Sequence, residues 1–583
     1  MEASQNSLPV SVTVTAAFDL APGGRAATLP AVQGVGVDTL RGVLRAICVV
    51  SVSALALASV GETQGQAQAQ PAFTAAQDAA AFGMRESILH ISLSPGGSRL
   101  AYVSPLGSHG ESLYVVDLAG NPQPRRVLTN SDQNTDLASC TWASDEKLIC
   151  RVYVVEDAAG ILLGFSRLVV VNADGTGLKP LTRSASSRAL SINQYGGGVL
   201  AHEIEGKPGK IVMQREILAE GGLGTRILQR VGGLAVEELD VETLRTRPIE
   251  PPDPLTIGYL ADDSGAIRVR MLRPSTTTGR DGLKELYQYR TPDSKDWREL
   301  ERSQIALQSQ SGFDPLAVDA RSNRVFGFDD KDGYRALYSI SLDGKKTRNL
   351  VLSRPDVDVD GLLRLGRKGR VVGAGYATEK RQVSYFDPEL AKLAGSLHDA
   401  LPGTPQIEFA GASSDEGKLL VVASSDVAPG MTYLFDKKRG RLEALLPIRA
   451  PLENRALGAM RPVTYAASDK TLIPGYLTLP PGRSEARGLP AIVMPHGGPS
   501  ARDEWGFDWL VQFFAARGYA VLQPNFRGSS GYGSQWFGKN GFQAWRTAVG
   551  DVNDAGRWMI SQGVDPTQLA ILGWSYGGYA ALQ

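Results

Sequence analysis

The sequence predicts an all-β propeller of about seven blades followed by the N-terminal part of an α/β domain, and three observations carry that expectation. Glycine is 65 of 583 residues, about 11% against a usual ~7%, and proline adds 33, a composition suited to many tight turns rather than to a helical bundle. From about residue 88 to 450 an alternating strand, a polar turn and a β-branched or aromatic strand recur at a period typical of repeat architectures. After Pro451 the rhythm changes to strands alternating with helices, which builds a parallel sheet covered by helices. The domains are therefore drawn as 1–84 leader, 85–452 propeller and 453–583 α/β domain.

The leader reads as address and spacer. Arg41 and Arg45 precede an apolar run, Ala46 to Val60, followed by small residues at Ala56–Ala58 and then the polar stretch GETQGQAQAQP. Positive, apolar and small, in that order, is a secretory signal. The run falls short of the ~20 residues that span a bilayer, so no stable membrane anchor is expected once it is removed, and the protein is expected in the periplasm or outside the cell. Cys48 lies at the wrong end of the run for a lipoprotein site. Because Met1 to Leu40 stand ahead of this signal, translation is expected to start later than Met1.

Two further cysteines, Cys140 and Cys150, flank the turn Ser144-Asp145-Glu146 in SCTWASDEKLICRVY. Two short strands around such a turn place them opposite one another, where a cross-strand disulfide fits; two buried free thiols are the alternative.

The repeat is marked by turns at Ser94 (SPGG), Ser144 (SDE), Tyr195 (YGGG), Asp262 (DDSG), Arg321 (RSN), Gly366 (GRKG) and Ser414 (SDEG). Second hairpins follow several of them, as in RLVVVNADGTGLKPLT and RALYSISLDGKKTRNL, so each unit holds roughly four strands. One such sheet cannot bury both faces alone and stacks on its neighbours around an axis, which predicts blades; a pair of β sandwiches is the competing arrangement. The segment from Ser186 to Lys210 shows the pattern most weakly.

Past Pro451, AIVMP (491–495) and YAVLQP (519–524) read as buried strands, and EWGFDWLVQFFAARG has helical spacing at Trp505, Trp509, Phe513 and Ala516. Val552, Ala555, Trp558 and Met559 share a face of a further helix, capped near Asp551 and stopped at Gly563; Leu569 to Leu572 is one more strand. Asp551 and Asp554 then fall in a first helical turn, where carboxylates suit the dipole.

At the end of that strand stands Gly573-Trp574-Ser575-Tyr576-Gly577. In so glycine-rich a chain the five letters alone are weak, but a strand before the serine and a helix after it are the context of a nucleophile elbow, which makes the domain an α/β-hydrolase. Ser575 is the candidate nucleophile, and it needs a base and oxyanion donors. Tyr576 offers a backbone N–H at a helix start, and the glycine-rich loop MPHGGPS (494–500) is placed to give a second. His496 lies upstream, whereas this fold runs Ser, then Asp, then His, so a loop-shaping role for His496 is preferred over that of base. Arg502, Asp503 and Glu504 read as a solvated charge run, with contact to a substrate terminus as the alternative. Arg527, in the ordered loop PNFRGSSGYG, either braces that loop or meets substrate.

The stretches HGGPSARDEW, YAVLQPNFRGSSGYG, DVNDAGRWM and VDPTQLAILGWSYGGYAAL together resemble the catalytic domain of the prolyl oligopeptidase family, especially its acylaminoacyl-peptidase-like branch, over most of residues 460–583. The family also places a propeller before its hydrolase domain, as a cap that restricts substrates to peptides, usually short. The resemblance implies Ser575 as nucleophile, with the N–H groups of Tyr576 and Gly498 as oxyanion hole and His496 and Gly497 shaping the loop. The family's Asp and His lie after the serine, beyond Gln583, so this chain is expected to be the front part of a longer protein and inactive alone.

The function expected is thus a serine-type peptidase acting through an acyl-enzyme, with an esterase-type acyl hydrolase or a non-catalytic propeller binding protein as alternatives. Lys plus Arg and Asp plus Glu both number 61, so no net field draws the chain to nucleic acid. No motif argues for a metal or another cofactor.

Overall fold

The computed structural model describes residues 73–183, 185–222, 228–273, 284–306, 309–538 and 544–583. The signal segment read at Arg41 to Val60, and Cys48, lie outside the described residues. No helix among the described residues is long and apolar enough to cross a membrane.

Seven antiparallel sheets follow one another along the chain, each from a contiguous segment: blade 1 (residues 90–130), blade 2 (135–180), blade 3 (198–253), blade 4 (256–311), blade 5 (314–352), blade 6 (359–385) and blade 7 (406–447). Blades 1, 2, 3, 5 and 7 have four strands, blade 4 five and blade 6 three. The strands form because β-branched and aromatic residues alternate between two faces, and both faces of each sheet are apolar. Each face is covered by the next blade. Val103 and Leu113 of blade 1 meet Trp142 and Leu148 of blade 2; Tyr287 and Val269 of blade 4 meet Val325 of blade 5 and Phe313 just ahead of it; Val372 of blade 6 meets Leu419 and Val421 of blade 7.

The ring closes the same way. Leu100 and Tyr102 of blade 1 pack on Leu420 and Val422 of blade 7, and Lys418 Nζ donates to Gly97 O at 2.7 Å across that junction. Among the described residues no strand is shared between the first and last blades.

Six of the seven marker turns join the first and second strands of a blade. Tyr195 does not: it precedes the first strand of blade 3, Gly198–Ala201, and its hydroxyl accepts from Gln214 Nε2 at 2.8 Å. The corresponding turn of blade 3 falls between Ala201 and Lys210. In blade 2, Cys140 and Cys150 are directly opposed and joined, S–S 2.07 Å, inside the blade 1–2 core.

The C-terminal sheet has five strands in the order Met460–Ala466, Leu472–Thr478, Ala520–Pro524, Ala491–Val493, Leu569–Ile571. The last three are parallel, as the alternation of strand and helix predicts; the first two form an antiparallel hairpin that the sequence reading did not contain. Helix Trp509–Ala516 is capped by the Asp508 carboxylate, which accepts from the N–H groups of Leu510 and Val511. Trp505 lies ahead of this helix, packed with Met460 and Tyr476.

Helix Trp545–Ser561 begins well before the expected start near Asp551. Its N-cap, Ala544, makes no side-chain cap bond, so the usual signal for a helix start is missing. Asp551 and Asp554 are consequently mid-helix and buried, not first-turn residues facing the dipole.

Part of the leader also has a structural place. Ala75–Gly83 is a helix with a capping box at Thr74, and its Phe82 and Ala81 pack with Leu452, Phe513 and Ala516. Asp78, buried, is paired with both Arg455 and Arg517. The expected spacer therefore ends before this helix, which belongs to the C-terminal domain.

Replacing both Cys140 and Cys150 by Ala should lower unfolding free energy by about 2–3 kcal/mol, the loop-closure effect of a short cross-link. Denaturant melts of the oxidised protein, the reduced protein and the double variant read this; coincident melts would remove the disulfide as a stabilising element.

Candidate active site

The parallel strands Ala491–Val493 and Leu569–Ile571 are neighbours, and the crevice at the carboxyl ends of such strands is where open α/β sheets place ligands. The loop from Met494 leaves one strand end and the Ser575 turn leaves the other.

Ser575 adopts φ 53° and ψ −123° between the strand and helix Tyr576–Leu582. That is a strained conformation for a residue with a Cβ, of the kind that presents a nucleophile at a sharp elbow. The flanking glycines are steric requirements. A Cβ at Gly573 would collide with the backbone of Gly577, and a Cβ at Gly577 would collide with the Pro495 carbonyl oxygen. The elbow is thus pressed against the loop from the next strand. A Cβ at Gly497 would stand 3.4 Å from that of Ser575, so Gly497 lies beside the serine, with Gly498 (φ 127°) next along the loop.

His496 is buried and shapes this loop. Its Nδ1 lies 2.6 Å from Gly497 O, which can only accept, so Nδ1 carries the proton; Nε2 lies 2.8 Å from Ser529 Oγ, which itself donates to Phe526 O at 2.6 Å. Burial pushes its pKa down to about 4. A neutral ring with both nitrogens engaged is not placed to take the Ser575 proton. The ring stacks on Phe526 at 4.4 Å, and Phe526 stacks on Tyr576 at 5.8 Å. Phe526, fully buried, therefore ties together the loop His496–Pro499, the loop after Ala520–Pro524 and Tyr576. The sequence reading passed over both Phe526 and Ser529; the one signal was a lone aromatic in an otherwise small and polar loop.

Arg527 braces its loop. It holds Asp551 through Nε (3.0 Å) and Nη2 (2.6 Å), while its backbone N–H donates to the same carboxylate at 2.9 Å and Nη1 reaches Asp469 at 2.5 Å. Hydrogen bonding to Asp551 raises the guanidinium pKa further, so the cation is permanent. Asp554 in turn accepts from Ser468 and pairs with Arg557.

The run Arg502-Asp503-Glu504 is neither solvated nor aimed at Ser575. Arg502 donates to Ala377 O at 3.2 Å on blade 6 and to Tyr532 Oη at 3.0 Å. Glu504 receives Arg381 of blade 6, whose guanidinium also grips Asp360. Asp503 Oδ1 accepts from Gln523 Nε2 at 3.0 Å, while Oδ2 is shielded from solvent without a hydrogen-bond partner although the residue as a whole is half-buried. Burial, with the charge of Asp508 adding to it, pushes Asp503 up from 3.8 to about 8. Among the described residues no cluster of His, Cys, Asp or Glu has the geometry of a metal site.

Two outcomes follow. Arg527→Ala leaves the 1%-exposed Asp551 carboxylate uncompensated and should cost about 3–5 kcal/mol in a denaturant melt; a stability change under ~1 kcal/mol would mean that the pair is not a brace. For Asp503, the unfolded chain releases the proton near 3.8 while the folded chain keeps it to about 8. The stabilising share is complete below the lower value and lost as pH rises through the upper one. Asp503→Asn should therefore match the parent near pH 4 and exceed it in stability by pH 8; parallel stability curves across this range would refute the assignment.

Residues 505–583 match the sequence profile of the prolyl oligopeptidase family. The dipeptidyl aminopeptidase BIII of Pseudoxanthomonas mexicana is 35% identical over 256 residues, covering 42% of this chain and 36% of the relative. The dipeptidyl peptidase family member 6 of Caenorhabditis elegans is 32% identical over 191 residues, 29% of this chain and 26% of that protein. The matched stretch thus spans about a third of these relatives' length or less. Among solved structures, a puromycin-hydrolyzing peptidase of Mycobacterium tuberculosis superposes with TM-score 0.58 at 16% identity, over 88% of this chain and 77% of that one. A structure from a study of two prolyl endopeptidases does so with TM-score 0.57 at 16% identity, over 87% and 72%. At such identities these likenesses speak to fold alone: a seven-bladed propeller followed by an α/β-hydrolase region. The elbow falls within the matched segment and the loop beside it just ahead of it, so residues 505–583 are a stretch of prolyl oligopeptidase family sequence.

Proposed function

We propose that the protein is a serine peptidase that hydrolyses short peptides through an acyl-enzyme on Ser575. The observation that carries this reading is the elbow itself: a serine at positive φ, its glycines required by close approach, set beside a glycine loop on the adjacent strand end.

Ser575 Oγ attacks the scissile carbonyl, and the oxyanion that develops is received by backbone N–H groups of Tyr576 and Gly498, which cost no reorganisation because the loop is already anchored by His496 and Phe526. His496 is excluded as base by its engaged nitrogens. The reading assigns proton transfer to a histidine, oriented by a carboxylate, that follow the nucleophile in the order of this fold. Two of the relatives carry the name dipeptidyl peptidase or aminopeptidase, which supports release of dipeptides as the substrate class. The propeller over the hydrolase domain favours peptides over larger proteins. The Cys140–Cys150 disulfide supports an oxidising compartment, and with it export.

In the intact protein, Ser575→Ala should abolish labelling by a fluorophosphonate and lower kcat on peptide substrates by at least about a thousandfold. Labelling that persists in this variant refutes Ser575 as nucleophile, and turnover of esters without turnover of any peptide moves the protein to the acyl-hydrolase class.

A further inference from the structure

At five of the seven junctions the first strands of neighbouring blades touch one another, which places these strands around the axis of the ring. Arg367 lies in the turn after the first strand of blade 6. It donates through Nε to Glu203 Oε1 at 2.7 Å and through Nη2 to the carbonyl of Trp142 at 2.7 Å. Glu203 belongs to the first turn of blade 3, and Trp142 ends the first strand of blade 2. Ser414, in the first turn of blade 7, donates to the same oxygen of Glu203.

These contacts have one geometric explanation. In the ring, blades 4 and 5 stand between blades 3 and 6 on one side, and blades 7, 1 and 2 on the other. A direct hydrogen bond between blades 3 and 6 cannot run along the wall, so it crosses the axis; the same holds for blades 2 and 6 and for blades 3 and 7. A guanidinium suits this place, because its fork of donors serves a carboxylate and a carbonyl at once. The Arg367 side chain is only 8% exposed although it stands at the centre of a ring. His202, next to Glu203, is half-buried with its Nδ1 shielded from solvent, and desolvation, with the charge of Arg367 adding to it, pushes its pKa down to about 4.

The hydrolase domain sits at the other end. It meets Asp358, ahead of the first strand of blade 6, whose N–H donates to Gly531 O at 3.0 Å. It also meets second turns: the N–H of Ser534 donates to Gly333 O at 2.8 Å, and Tyr476 Oη to Glu379 O at 3.0 Å. The first turns, with Arg367, Glu203 and Ser414, therefore form the mouth remote from Ser575.

We infer that Arg367, held by Glu203, closes the far mouth of the propeller against solutes larger than a small reagent. The closure rests on these contacts and not on the peptidase reading.

The test reads access without turnover. Ala410 is exposed on the innermost strand of blade 7, just ahead of Ser414, and a bulge between Phe409 and Gly411 leaves it without a ladder partner, so it lines the axis. Ala410→Cys is made together with Cys48→Ser, the remaining cysteines being joined. Labelling is followed with a small maleimide and with a maleimide carried on a long polyethylene glycol chain. The small reagent should label every form. The polymer reagent should label the Arg367-intact protein slowly, and Arg367→Ala or, where that variant does not fold, Glu203→Ala should accelerate it about tenfold or more, as expected when one charge-assisted bridge closes the opening. Polymer labelling equal in the intact protein and the folded variants overturns the inference. Because no catalysis is measured, failure of the peptidase reading leaves this result standing.

Discussion

Every blade of the propeller is apolar on both faces, and a sheet of three to five strands has no way to cover two faces by itself. Stacking covers one face per neighbour, and only a closed ring leaves none bare. Among the described residues the ring closes without a strand shared between its first and last blades; Leu100, Tyr102, Leu420 and Val422 do the closing. Each such buried side chain contributes about 1.5–3 kcal/mol, so the junction is held chiefly by apolar contact. The remaining features follow from the ring: an axis, two mouths with different residues, and one end on which the second domain is seated.

The seating is polar where the blade contacts are apolar. Arg381 grips Asp360 on its own blade and Glu504 on the hydrolase domain, and Arg502 reaches back to the carbonyl of Ala377. The residues that receive the propeller are continuous in sequence with the loop His496–Pro499, so the position of blade 6 and the shape of the loop beside Ser575 are mechanically joined. Buried or half-buried charge at such a seam contributes more to register than to net stability.

Much of this was legible in order of residues. The turn spacing implies about seven units, the opposed cysteines lie around a short turn, and strand-to-helix context singles out Ser575 from other glycine-flanked serines. These are local signals, carried by period and turn chemistry. Others had no local signal. Helix Trp545–Ser561 starts without a capping side chain, so its start was misplaced and Asp551 and Asp554 were read as first-turn carboxylates. Tyr195 carries a turn-like YGGG, yet its glycines serve close backbone approach: a Cβ at Gly196 would collide with Ser166 O. Arg502 to Glu504 looks like a solvated run because nothing in the neighbouring letters announces a second domain.

The sequence by itself determined the two architectures, the elbow and the residue that stands on it, since strand alternation, helical period and the need for glycine around a sharp turn are properties of short segments. Only the tertiary structure decided the partners: Phe526 between His496 and Tyr576, Arg527 on Asp551, and Arg367 on Glu203 and Trp142. The reason is distance along the chain. Arg367 and Trp142 are separated by 225 positions, and no local preference of either residue encodes that closing the ring brings them face to face across its axis.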